Sequence, residues 1–242
     1  MERVFLLNLS EWLGVIAIIQ LLGMSTRYRR PPLGFRFPAR EGKVSLGLYI
    51  LILLLAVLYY GDSFGAALKT SPGPDMLWPR LALAGLSLLP VLAALLIRRQ
   101  PPRSAGWERV SSGAAMRAAL VLIFLVIILR GQVFSFLKDF NQADAILFLG
   151  WVGLSLAEET IFRGYIQPRL AAWMGVWQGI ITTALLFTLW NLPRLLMSAD
   201  LLFNLGITLV NGLLLGWLMR RTGNVLASGL YRAVSEWLRL VV

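Results

Sequence analysis

The chain contains no cysteine and no histidine among its 242 residues. Without cysteine it has neither disulfides nor thiolate metal ligands, and its redox compartment leaves no mark on the sequence. Without histidine it lacks the side chain that titrates most readily near neutral pH, which is also the commonest metal ligand. Charge is scarce too. Asp, Glu, Lys and Arg make up 14% of the residues, against about 25% in a soluble domain. Acid is scarcer than base, 12 residues against 23, which leaves a formal net charge of +11. What fills the chain instead is apolar, with 58% hydrophobic residues and a mean hydropathy of +0.73.

Such a composition belongs in lipid. Mostly apolar stretches run over residues 4–23, 45–61, 80–97, 113–134, 144–162, 175–196, 201–219 and 224–241. Each is about long enough to cross a hydrocarbon core of roughly 30 Å as a helix. Unpaired backbone cannot cross lipid, and the alternating pattern of a barrel strand is absent. The expected fold class is therefore all-α, a polytopic transmembrane bundle of about eight helices. It forms a single membrane domain over residues 1–242, with N-terminal helices and basic loops in 1–143 and a core in 144–242. No soluble domain has room beside it.

The positive charge is concentrated between spans, which separates this chain from a nucleic-acid binder. Ser25 to Lys43 holds Arg27, Arg29, Arg30, Arg36, Arg40 and Lys43, stiffened by Pro31, Pro32 and Pro38. Arg98, Arg99, Arg103 and Arg109 follow the third span, and Arg220 and Arg221 the seventh. In Gly61 to Pro79, by contrast, Asp62, Lys69 and Asp75 nearly cancel, as do Lys138 and Asp139 after the fourth span. The positive-inside rule puts the basic ends in the cytoplasm, and eight spans then put both termini outside. Val4 to Gly23 is expected to be a retained first span. No basic run precedes it, Asn8 and Glu11 interrupt it, and no small-x-small cleavage site follows. No internal repeat supports an inverted-repeat transporter.

Ionisable groups at membrane depth are expensive, about 2.5 to 3.5 kcal/mol each on an insertion scale, so each asks for a reason. The strongest case is Ala157-Glu158-Glu159-Thr160-Ile161-Phe162-Arg163-Gly164. Glu159 and Arg163 are four apart on one helix face and can pair, while Glu158 points about 100° away and is left to face another helix. The plainer alternative is that both glutamates mark the membrane boundary. Asn191, just before Pro193, suits an interhelical hydrogen bond. Near the C-terminus Arg232 and Glu236 are spaced to pair, and Tyr231 and Ser235 form a separate hydroxyl face. Glu11 and Arg117 lie near span ends, where long side chains can reach water.

Together these positions resemble the CPBP family, the CAAX-protease and bacteriocin-processing membrane proteases also called Abi. That family carries Glu-Glu-x-x-x-Arg, then Phe-x-x-x-His, then His-x-x-x-Asn or Asp. Here the first motif stands as Glu158, Glu159 and Arg163, followed by Gly164 and Tyr165. The second falls on Phe187 with Asn191 in place of histidine, and the third on Tyr231 and Ser235. Leu215-Gly216-Trp217-Leu218 and Arg221-Thr222-Gly223-Asn224-Val225-Leu226 resemble the lead-in to that last motif. The resemblance covers residues 145–238.

It implies an integral membrane protein of the bacterial inner membrane. It also implies a catalytic set of Glu158, Glu159, Arg163, Asn191, Tyr231 and Ser235, in which Glu158 is the base, Asn191 its altered partner, and Tyr231 and Ser235 the altered oxyanion donors. Glu158, Asn191, Tyr231 and Ser235 are expected to converge on one cavity open to the cytoplasm. Asparagine can orient water but cannot relay its proton, and general acid-base help is worth about 10² to 10⁴ in rate. Zinc prefers nitrogen and sulfur ligands, so neither a metal nor any other cofactor is expected. Three functions stay open: a pseudoprotease, an active glutamate-dependent endopeptidase, and a transporter or lipid-handling protein. The expected partners are membrane lipid and a hydrophobic peptide, a transmembrane client or a membrane complex, and no nucleic acid.

Overall fold

Pro38 fixes the first turn of a helix that the hydropathy pattern begins only at residue 45. Proline suits the start of a helix because the amide it lacks would have no partner there. In the computed structural model, which describes residues 2–28, 33–61, 77–130, 142–196 and 200–241, this helix is α2, Pro38–Tyr60. Before it comes α1, Glu2–Met24. After it come α3, Leu77–Ile97, and α4, Arg109–Leu129. Arg29, Arg30, Pro31, Pro32, Asp62, Lys69, Asp75, Lys138 and Asp139 lie outside the described residues.

The fifth expected span stops at residue 162, but the helix does not. α5, Gln142–Glu159, passes into a π turn, Thr160–Ile166, and on into α6, Gln167–Met174. The basic and small residues Arg163, Gly164 and Arg169 look like a loop to a hydropathy window, yet they are buried inside the protein. α7, Val176–Leu195, α8, Leu201–Thr222, and α9, Val225–Val241, complete the chain.

Among the described residues, six helical segments are long and apolar enough to cross a membrane: α1, α2, α3, α4 with its preceding turn, α5 through α6, and α8. α7 and α9 are helices where spans were expected. Their apolar runs are broken by Asn191, Pro193 and Arg194 in one, and by Arg232, Glu236 and Arg239 in the other. Among the described residues there is no strand.

Contacts between helix ends show the alternation. Arg98 after α3 and Arg169 of α6 both meet Glu41 in the first turn of α2, and Asn224 between α8 and α9 donates to the Glu108 carbonyl before α4. At the other end Arg239 of α9 donates to Asn8 of α1, and Arg130 after α4 pairs with Glu11. Arg36, Arg40, Lys43, Arg98, Arg99, Arg103, Arg109, Arg220 and Arg221 therefore share one basic end.

The turn from α8 to α9 shows why its sequence has the form it does. Gly223 takes φ 67°, the left-handed conformation that ends a helix, and its N–H donates to the Met219 carbonyl. Asn224 then accepts the Leu226 N–H at 3.0 Å, capping α9. The Val225 N–H donates to the Gly106 carbonyl, so the start of α9 is pinned to the turn before α4. From there α9 runs through the protein core against α4 and α5. Leu122, Val126, Leu154, Val234 and Leu238 pack one apolar cluster around it. A second, built from Ile52, Leu83, Phe162, Tyr165, Ile166 and Trp190, joins α2, α3, α7 and the π turn. The paired-glutamate motif sits between the two.

Candidate functional site

Glu158 and Glu159 close α5 with no exposure to the surface. A carboxylate there needs a cation close by, since leaving one buried without a partner costs far more than pairing it. Glu159 meets Arg163 at 3.1 Å, the i,i+4 pair expected from the spacing, and both side chains are fully buried. The membrane-boundary alternative does not hold for these glutamates.

Glu158 is not left free either. Arg232 of α9 pairs with its Oε2 and also reaches Glu159 Oε1 at 3.4 Å. Arg80 of α3 closes from another side, 3.4 Å from Glu158 Oε1. Two carboxylates thus share three guanidiniums drawn from α3, α9 and the π turn. The Phe187 ring lies 4.3 Å from the Arg163 guanidinium and 4.8 Å from that of Arg232, which adds a cation–π contact to each. Phe162 meets the edge of Phe187, with ring centres 5.0 Å apart.

The expected Arg232–Glu236 pair is replaced. Arg232 reaches across to the motif, and Glu236 lies 3.8 Å from Arg239 instead. Arg232 joins Arg163 and Arg80 around the two fully buried glutamates, while Glu236, less deeply buried, is left to Arg239. Asn191 also departs from expectation. Its amide donates to the Phe187 carbonyl of its own helix at 2.9 Å and its oxygen accepts from Arg194 at 3.3 Å, so these hydrogen bonds lie within α7.

Tyr231 and Ser235 share a face, as their spacing implies, and that face engages α1. Both donate to Glu11 Oε1, at 2.8 and 2.5 Å, while Arg130 holds Glu11 Oε2 at 2.6 Å. A one-residue step on a helix turns a side chain by about 100°. Tyr231 therefore meets Glu11 while its neighbour Arg232 meets Glu158. Sequence reasoning missed Glu11, and also Arg80. The signal was available in each case: a lone ionisable residue inside an apolar run, which in lipid marks a partnered position.

Several atoms of the motif make no hydrogen bond: Glu158 Oε1, Glu159 Oε2, and Nε and Nη1 of Arg163. A cavity of about 290 Å³ lies at the basic end and is lined by Arg163, but not by Glu158, Asn191, Tyr231 or Ser235. Among the described residues no group of three or more Asp or Glu side chains could hold a metal ion.

The chemistry open to this arrangement follows. A general base needs a lone pair turned toward a water or substrate. Glu158 Oε2 is engaged by Arg232 and approached by Arg80, and no imidazole is present to carry the proton onward.

Residues 140–238 match the model of a family described as type II CAAX prenyl endopeptidase, Rce1-like. The match includes Glu158, Glu159, Arg163, Asn191, Tyr231 and Ser235 and covers less than half of the chain. It agrees with the resemblance to the CPBP membrane proteases. No curated protein and no solved structure matches the chain.

Proposed function

We propose that this integral membrane protein, similar over its C-terminal part to the Rce1-like CAAX proteases, is a pseudoprotease that binds a hydrophobic client or partner subunit without cutting it. The observation that carries the reading is the clamp on Glu158, whose carboxylate lies between Arg232 and Arg80. The base of the family pattern is here a structural anion. The two hydroxyls that align with the oxyanion donors are committed to Glu11, so a developing oxyanion near Glu158 would have to break those bonds first.

A second reading, a glutamate-dependent endopeptidase, is favoured by one atom. Glu158 Oε1 is buried and makes no hydrogen bond, its nearest cation being Arg80 at 3.4 Å, and a water that displaced Arg80 could take it. One experiment separates the two. The purified chain in lipid nanodiscs is incubated with a membrane-anchored peptide, beside Glu158→Gln and the triple variant Asn191→His, Tyr231→His, Ser235→Asn. The pseudoprotease reading expects no cleavage above background from the parent. Cleavage by the parent that Glu158→Gln abolishes would sink it.

A further inference from the structure

We propose that the cavity at the basic end binds the headgroup of an anionic, hydroxyl-bearing phospholipid. Neither the family match nor the cleavage question assigns a ligand to this place, and the inference rests on neither. The cavity, about 290 Å³, is at the lower bound of ligand pockets, roughly 300 to 1,000 Å³. Its charged lining is Arg103, Arg163, Arg220 and Glu108. Three guanidiniums against one carboxylate leave it positive, even with Arg163 shared with Glu159.

Two buried residues of its lining, Arg163 and Gln167, each keep an atom without a hydrogen bond. Arg163 is fully buried; its Nη1 pairs with Glu159 Oε1 at 3.1 Å, and its Nε makes no hydrogen bond. Gln167 is 5% exposed; its amide nitrogen donates to the Gly216 carbonyl at 2.9 Å, while its Oε1 makes no hydrogen bond. A buried polar atom without a partner costs about 1 to 3 kcal/mol, so such atoms are normally satisfied by something. The guanidinium suits a phosphate oxygen and the amide oxygen suits a hydroxyl donor. One molecule carrying both groups answers both atoms.

Depth selects a lipid over a free phosphate. Residues of the α1–α2, α3–α4 and α8–α9 connections line the cavity, so it lies where the bundle meets the headgroup layer. Trp107, Trp173 and Trp177 at this end are 38%, 38% and 60% exposed, and tryptophan gathers at that layer in membrane proteins. Basic pockets between transmembrane helices at such an interface suit anionic headgroups.

The test uses the full chain extracted in mild detergent and offered equal amounts of phosphatidylglycerol and phosphatidylcholine, with retained lipid weighed by native mass spectrometry. The parent is expected to prefer phosphatidylglycerol by about tenfold, since each arginine at the surface favours an anionic lipid appreciably. The double variant Arg103→Gln, Arg220→Gln should lose that preference. Arg40→Gln with Arg99→Gln, the same change in charge at exposed positions outside the cavity lining, should keep it. Equal retention of both lipids by the parent, or equal loss in both double variants, would overturn the proposal. Displacement of the lipid by millimolar inorganic phosphate would overturn it as well, by making the ligand a soluble phosphate. Should the cavity variant fold poorly, the parent decides alone: it must melt higher in phosphatidylglycerol nanodiscs than in phosphatidylcholine nanodiscs.

Discussion

Two of the buried arginine–glutamate clusters among the described residues, one around Glu41 and one around Glu158 and Glu159, differ in one respect. Around Glu41 at the basic end, the hydrogen bonds are nearly complete. Arg169 donates to Glu41, to the Ser104 and Tyr165 carbonyls and to Gln100, and Glu41 also accepts from Arg98 and Gln100. Around Glu158 and Glu159 three guanidiniums face two carboxylates, and two carboxylate oxygens and three guanidinium nitrogens make no hydrogen bond, although Glu158 Oε1 and Arg163 Nη1 are held in ion pairs. A satisfied network rigidifies a fold. The first cluster reads as a clasp joining α2, α6 and the α3–α4 connection; the second is held mainly by ion pairs between fully buried charges.

Removing one guanidinium from each cluster tests that difference. Arg163→Ala strands Glu159 in the core beside a single remaining arginine, and the expected loss is about 3 to 5 kcal/mol. Thermal melting in detergent measures it, and a melt equal to the parent's would mean the pair is not structural. Replacing both members, Glu159→Leu with Arg163→Leu, should cost less than Arg163→Ala alone, because no charge is left without a partner. If the double variant proves the worse of the two, the arginine acts through contacts other than its ion pair.

Arg169→Ala should cost less, about 1 to 3 kcal/mol, since it frees two carbonyls while Glu41 keeps Arg98. A loss larger than that of Arg163→Ala would reverse the ranking of the clusters. Arg98→Ala is the mildest change. Its side chain is 23% exposed, and a pair screened to that degree is worth about 0 to 1 kcal/mol and fades with salt. A melt that differs from the parent by the same amount at low and high salt would remove Arg98 from the screened edge of the clasp.

What the sequence revealed divides along the same line. The Glu159–Arg163 pair was legible because its members sit one helical turn apart, and local spacing needs no knowledge of topology. The order of the eight long helices was legible from hydropathy. Glu41 and Arg169, by contrast, lie 128 positions apart, and Tyr231 and Glu11 lie 220 apart. Nothing local announces such partners, so Glu11 was passed over as a span-end residue and Glu158 was taken to be free. Polar first turns and a buried motif also hid the true lengths of α2 and of the helix that runs from α5 into α6.

The π turn at Thr160–Ile166 sets the angular phase between the two clusters. A π turn winds an extra residue into a helix without breaking it. Everything beyond is thereby rotated by one residue's step relative to a plain α-helix, about 100°. Arg169 lies just past the turn and meets Glu41, while Glu158 and Glu159 lie just before it. Gly164 meanwhile presses so close to the Ala105 carbonyl that a Cβ would lie 2.1 Å from it. One continuous helix thereby serves both clusters, carrying the paired glutamates on one side of the π turn and the clasp arginine, turned toward α2, on the other.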